Sequence, residues 1–268
     1  MPNRESADAI TAMIDQLVAQ NMVGKIVHFH GENELLSEHL SKLWSIPVHT
    51  LNLPVNQHKN SFSRATLIQY RRTVLGISPT TFLCTYLGAA RLEKGYHYLP
   101  YIISKTFEYG GGDAPIHFTI QSSPQVIGYN STIKNAILKM KQRPRHQVTL
   151  ITDVLKNEEY SKLLHASNLI LLPYEKEKYR VRGSGIVSEA IEAGKIVLGT
   201  TGTYPGAMGK IYVGDSAKEP KNFAKKIISF EKNRDFFENK ARQAAENFIE
   251  NNKCENYIRK CLDVEVTA

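Results

Sequence analysis

The sequence predicts an α/β protein: one complete, doubly wound parallel-sheet domain of Rossmann-like type, preceded by a truncated remnant of a second α/β domain. From about residue 80 onward, short and almost wholly apolar runs alternate with segments of helical length and spacing. Strands without a polar face need cover on both sides, and helices that cross between parallel strands supply it. The first 55 residues contain only two strand-like runs, whereas three or more are generally needed for a sheet to stand alone.

In chain order, a helical pattern over residues 7–21 leads to a strand at KIVHFH (25–30). A helix at ENELLSEHLSKLW (32–44) and an extended piece, IPVHTLNLPV (46–55), follow. The polar, proline-bearing stretch NLPVNQHKN (52–60) reads as a linker, so residues 56–79 are expected to hold a linker and a connecting helix. The strands of the main domain are then TFLCTYL (81–87), IHFTIQ (116–121), QVTLIT (147–152), NLILLPY (168–174), KIVLGT (195–200) and IYVG (211–214). Between them YHYLPYIISKTFEY, STIKNAILKMKQR, NEEYSKLLHAS and SGIVSEAIEAG have helical length and pattern. Residues 223–262 turn helical. The expected boundaries are 80–235 for the Rossmann-like domain and 236–268 for a C-terminal helix that packs back on the N-terminal part.

Composition is that of an ordinary globular chain, with 42% hydrophobic and 22% charged residues. No run of about 18 apolar residues exists, and MPNRESADAITAMIDQ lacks the apolar core and cleavage site of a signal peptide. A cytoplasmic location is expected, including the inner face of the membrane as a peripheral surface. A net charge of +8 suits nucleic acid, anionic lipid or phosphorylated ligands, and charge alone does not choose among them. The three cysteines have no paired metal spacing, and Cys84 reads as a core residue. Nine histidines form no HExxH pattern, no Asp-x-Asp occurs, and neither a GxSxG elbow nor a Walker motif is present. No metal site is expected. His28 and His30 read as packing or rim residues of a strand, and Asn130-Ser131-Thr132 as a chance match to a glycosylation acceptor.

Two loops carry candidate chemistry. RVRGSGIVSEAIEAGK (180–195) sets Gly183-Ser184-Gly185 before a short helix whose free amides and positive dipole end form an anion site; the same residues also suit a plain capping turn. Ser184 is the N-cap type, and glycines let a ligand approach the backbone. At about 100° per residue, Ile186, Val187, Ala190, Ile191 and Ala193 form one apolar stripe. Glu189 then lies at the stripe's edge, facing the sheet's rim, and Glu192 points to solvent. The second loop, GAARLEKG (88–95), follows TFLCTYL and brings Gly88, Arg91 and Lys94 to a helix start. It reads as a phosphate site or as two solvated loop charges. A cation about 4 Å from a phosphate contributes roughly 4 kcal/mol at an effective dielectric of 20, against about 0.3–2 for a helix end. Arg91 and Lys94 therefore dominate any diphosphate binding there.

With both loops placed in one domain, the sequence resembles the retaining glycosyltransferases of family 4, which have the GT-B architecture. The resemblance rests on YLGAARLEKGYHYLP (86–100), EEYSKLLHASNLILLPY (158–174) and GSGIVSEAIEAGKIVLGT (183–200), and covers roughly residues 80–215. GENELLSEHLSKLWSIPVHTLNLPV also looks like the end of the family's N-terminal, acceptor-side domain, which makes residues 1–55 its remnant. The resemblance implies that Lys94, with Arg91, stabilises a donor diphosphate and that Gly88, Ser184 and Gly185 contact sugar and phosphate. It assigns the ribose hydroxyls to Glu189. The implied reaction moves a sugar from a nucleoside-diphosphate sugar to a glycan, lipid-linked or other small acceptor, with retention and without cofactor or metal. A membrane surface or a missing N-terminal domain is a further partner, and nucleic acid is not. Three departures stand out: Ala89 replaces the arginine after the loop glycine, Val181 replaces the first glutamate of a Glu-x7-Glu pair, and the first part of the N-terminal domain is missing. Val181 and the two-strand remnant suggest the alternative of a non-catalytic nucleotide-sugar-binding module or one subunit of a split enzyme.

Overall fold

The structure, a computed structural model, describes residues 4–24, 27–52, 54, 62–123 and 130–262. Its contacts divide the chain into two compact units, Gln57–Glu250 and a smaller one of Met1–Asn56 with Asn251–Ala268.

The smaller unit holds α1 (Arg4–Ala19), β1 (Phe29–Gly31), α2 (Glu34–Trp44) and β2 (Val48–Thr50). β1 and β2 pair in parallel, with Phe29 opposite Val48. The Asn33 side chain accepts from the Leu36 amide at 2.9 Å and starts α2. Buried Ser37 then donates to the His49 carbonyl at 3.1 Å, tying helix to strand. Gly31 permits that approach, because a Cβ there would lie 2.5 Å from the Ser37 hydroxyl. The strand expected over 25–30 begins at Phe29, and Lys25 and Ile26 lie outside the described residues. Most of the linker expected over 52–60 lies outside them too.

The larger unit opens with α3 (Arg64–Thr73). It continues through β3 (Phe82–Tyr86), α4 (Leu99–Gly110), β4 (Ile116–Gln121), α5 (Ser131–Lys141), β5 (Val148–Ile151), α6 (Asn157–Ala166) and β6 (Leu169–Leu172). α7 (Lys176–Tyr179), α8 (Gly185–Glu192), β7 (Ile196–Gly199), α9 (Tyr204–Tyr212), α10 (Pro220–Lys232) and α11 (Arg234–Asn251) complete it, and α12 (Cys254–Leu262) follows. The five strands form one parallel sheet in the order β5-β4-β3-β6-β7. β3, β4, β6 and β7 are buried along their whole length, and β5, at the edge, is only half-buried. Cys84, opposite Phe118 and Leu169, is a core residue. From β3 the chain steps outward to β4 and β5, then returns to add β6 and β7 on the other side. This reversal opens a crevice at the carboxyl ends of β3 and β6, where sheets of this kind bind ligands.

One expected strand is a helix. IYVG supplies the end of α9 and its cap, Val213, while the extended residue that reaches the sheet is Ala217, bridged to Thr200. The cause lies upstream. Thr203 caps α9 by accepting from the Gly206 amide at 3.1 Å, and two glycines let the helix press on β7. A Cβ at Gly206 would lie 1.9 Å from the Thr200 carbonyl oxygen, and one at Gly209 2.7 Å from that of Val197. A four-residue apolar run carries too little periodicity to signal this. The helical tail is also broken, at Asn233 and again after Asn251. Among the described residues no helix is long and apolar enough to cross a membrane.

Lys195, just before β7, donates to the His165 carbonyl at 2.6 Å. Burial of its ammonium nevertheless pushes its pKa down to about 8, against a partial lift from Glu238. In the unfolded chain a lysine keeps its proton up to about pH 10.4. Between about pH 8 and 10.5 the unfolded state therefore binds more protons, and stability rises with pH. Across that window the thermal midpoint is expected to gain relative to that of Lys195→Met; equal slopes in the two proteins would refute the assignment.

Candidate functional site

The loop after β3 is fastened at both ends of its turn. Gly88, at φ +114°, donates its amide to the Gln121 side chain at 2.7 Å, and the Ala90 amide donates to the Ser123 carbonyl at 3.1 Å. Two short 3-10 turns follow, Leu92–Lys94 and Tyr96–Tyr98, with Gly95 between them at φ +67°. A Cβ on Gly95 would sit 1.7 Å from the Pro173 carbonyl oxygen, so only glycine lets the two loops touch. The Glu175 amide donates to the Glu93 carbonyl at 3.0 Å. The loops after β3 and β6 thus meet over the sheet's reversal point.

Three cations gather there around two tyrosines. Tyr174 and Tyr179 lie with ring centroids 4.4 Å apart. The Lys94 ammonium is 5.7 Å from the Tyr174 ring, and the Arg182 guanidinium 5.2 Å from the Tyr179 ring. Arg91 donates to the Tyr179 hydroxyl at 3.3 Å and pairs with Glu93 at 3.2 Å, while its buried Nε has no hydrogen-bond partner among the described residues. Burial, then the Arg91 charge, lowers the Lys94 pKa to about 8; Glu93 opposes this and Arg182 adds to it. The protein thus holds cations together at a cost that a bound anion would relieve.

The second predicted loop comes in from α8. Ser184 occupies the N-cap position, as its type suggests, yet its side chain caps no amide. Its hydroxyl instead lies 3.5 Å from that of Tyr174. Gly185 is exposed, and a Cβ there would meet no atom of the described residues within 4 Å. Glycine at 185 leaves open space rather than satisfying a packing demand. Further along α8, Glu189 accepts from the Tyr160 hydroxyl at 2.6 Å, and burial raises the pKa of that phenol. Glu192 departs from its expected place in solvent: it is half-buried, like Glu189. Val181 is only 7% exposed and contributes a buried aliphatic where the resemblance leads one to expect a carboxylate.

The structure therefore brings Gly88, Arg91, Lys94 and Ser184 to one crevice. Gly185 and Glu189 lie along the adjoining α8. Sequence reasoning missed Arg182, Tyr179 and Tyr160. Arg182 sits beside the glycine-rich turn, and its basic character there was the one available signal. Among the described residues no group of three or more His, Cys, Asp or Glu side chains could hold a metal ion.

No family model matches the sequence, and no curated protein matches it. Its likeness is to solved structures. HepE of Anabaena, in complex with UDP-glucose, superposes with a TM-score of 0.70 at 12% identity, covering 96% of this chain and 68% of HepE. A glycosyltransferase of Rickettsia africae gives 0.69 at 12%, covering 98% and 66%. TarM of S. aureus, in complex with UDP, gives 0.63 at 15%, covering 90% and 44%. The chain thus spans from under half to about two thirds of these proteins' length. At such identities the likeness establishes architecture: the chain has the Rossmann-like α/β fold of the GT-B glycosyltransferases.

Proposed function

We propose that the crevice binds the diphosphate of a nucleoside-diphosphate sugar and that the chain transfers the sugar, with retention, to a glycan, lipid-linked or other small acceptor. The observation that carries this reading is the convergence of Arg91, Lys94 and Arg182 on an open helix start at the sheet's reversal point. Lys94 and Arg91 stabilise the departing diphosphate, and Gly185 leaves room for phosphate or sugar at the amides of α8. Because these cations supply the charge stabilisation, the proposed transfer needs no metal. Glu189, oriented by Tyr160, accepts the ribose hydroxyls, a bond of the stronger charge-assisted kind. The reading places the protein among the retaining enzymes of family 4, working in the cytoplasm. The UDP-glucose held by HepE makes that donor the first probe.

Calorimetry with UDP- and GDP-sugars, followed by a transfer or hydrolysis assay, tests the reading. Glu189→Gln keeps the acceptor for Tyr160 but removes the charge, and is expected to weaken donor binding roughly tenfold. An unchanged affinity for the intact donor would remove Glu189 from the site.

Buried Val181 favours a second reading, a nucleotide-sugar-binding module or one subunit of a split glycosyltransferase. Donor binding without turnover until another chain is added selects it. Turnover by this chain alone rejects it.

A further inference from the structure

A second surface, formed by α5 and its neighbours, has a different chemistry. Residues 130–152 carry five cations, Lys134, Lys139, Lys141, Arg143 and Arg145, and no aspartate or glutamate. Among the described residues none of the five belongs to an ion pair. Arg143 is half-buried and the other four are exposed. α5 turns Ile133, Ala136, Ile137 and Met140 inward, and these four are buried. Its outward face carries Leu138, 57% exposed. At about 100° per residue, Leu138 lies between Lys134 and Lys141 on one side and Lys139 on the other. Along the edge of α5 that carries Lys139 runs a groove of about 530 Å³ whose lining includes Tyr101, Ile103, Ser104, Lys139, Met140 and Arg143. Tyr101 is itself 46% exposed.

An isolated domain gains nothing from exposing an aliphatic side chain among unpaired like charges, which repel one another. An anionic bilayer uses both features. Its surface potential attracts the cations, and its interface takes up aliphatic and aromatic side chains. We infer that the α5 face and its groove dock on an anionic membrane surface. Leu138 enters the acyl boundary, Tyr101 sits at the interface, and Lys139 and Arg143 hold lipid phosphates over the groove. RNA would match the charge and could stack on Tyr101, but it gives the exposed Leu138 no apolar environment, so Leu138 is the residue that separates the two.

The test is co-sedimentation of the whole chain with vesicles of phosphatidylglycerol and phosphatidylcholine in equal parts, against phosphatidylcholine alone. Binding is expected only to the mixed vesicles and is expected to fall with added salt. Each cation near such a surface contributes about fivefold to partition, so Lys139→Gln with Arg143→Gln should lower it about 25-fold. Leu138→Asn, at an exposed position, should lower it severalfold with the net charge unchanged. Lys232→Gln, on α10, should leave it alone. Equal binding to both vesicle types, or no loss in the double variant, overturns the inference. So does loss of vesicle binding to competing RNA together with a silent Leu138→Asn. Should the double variant not fold, Leu138→Asn decides alone. None of these residues lies in the donor crevice, so UDP-glucose affinity measured on the same variants keeps the two readings separate.

Discussion

Replacing Lys94 with alanine is expected to weaken binding of a nucleoside-diphosphate sugar by about 10- to 100-fold. The free protein should fold no less stably. Its Lys94 pKa already lies near 8, because burial and Arg91 disfavour the charge. Deleting that charge relieves repulsion within the cluster, so the thermal midpoint of the free protein should hold or rise. The pH dependence follows from the same shift. A bound diphosphate raises the Lys94 pKa, since it favours the ammonium. Affinity is therefore full below about pH 8 and declines above it, by at most about tenfold per unit. The donor's phosphates do not titrate in that range but its base does at the alkaline end, so the part of the slope that belongs to Lys94 is read against Lys94→Arg. Lys94→Arg keeps a charge that does not titrate and should flatten the profile. Calorimetry from neutral to alkaline pH measures all three proteins. An unchanged affinity in Lys94→Ala means that this loop does not hold the diphosphate.

Arg71→Met should cost about 3–4 kcal/mol of stability, a large loss for one side chain. Arg71, on α3, is 7% exposed. Its Nε donates to the Ala166 carbonyl at 2.9 Å, and Nη1 donates to the carbonyls of Pro79 at 2.8 Å and Thr81 at 3.1 Å. Nη2 donates to the Asn168 side-chain oxygen at 2.7 Å and again to Ala166. That Asn168 oxygen also accepts from the Leu83 amide at 2.7 Å, and the amide nitrogen of Asn168 donates to Glu238. One guanidinium thus gathers the end of α6, the entry to β3 and the entry to β6. Methionine fills much of the volume but leaves several buried oxygens without donors, and each such group carries a cost of about 1–3 kcal/mol before relaxation. Lysine has fewer donors in the wrong geometry and should recover only part of the loss. Chemical denaturation reads the result: a shifted midpoint at constant slope is expected, and a shift worth under about 1 kcal/mol would show that the network relaxes around the gap.

Neither site was equally open to reading from the chain alone. β3, β4, β6 and β7 announced themselves because a strand covered on both faces must be apolar throughout, and that pattern survives in one dimension. IYVG misled because its neighbours decided it. Thr203 capped a helix upstream, and Gly206 and Gly209 gave that helix a surface flat enough to lie on β7. Arg71 gave no signal of its own, since its acceptors lie up to 97 positions away along the chain.

The crevice after β3 and β6 divides along the same line. Gly88, Arg91, Lys94, Ser184, Gly185 and Glu189 could be named as candidates because each sits in a short motif with a local physical reason for its residue type. The partnership of Arg182 with Tyr179, the orientation of Glu189 by Tyr160 and the half-burial of Glu192 were decided by packing between α6, α8 and the loop after β6. By itself the sequence determined a parallel sheet, the positions of its five strands, though with a sixth that is a helix, and two glycine-bearing loops, because periodicity and turn chemistry are local. The tertiary structure alone decided which cations face one another and which carboxylate is held in place. Burial and electrostatic coupling depend on distances that only the folded chain establishes.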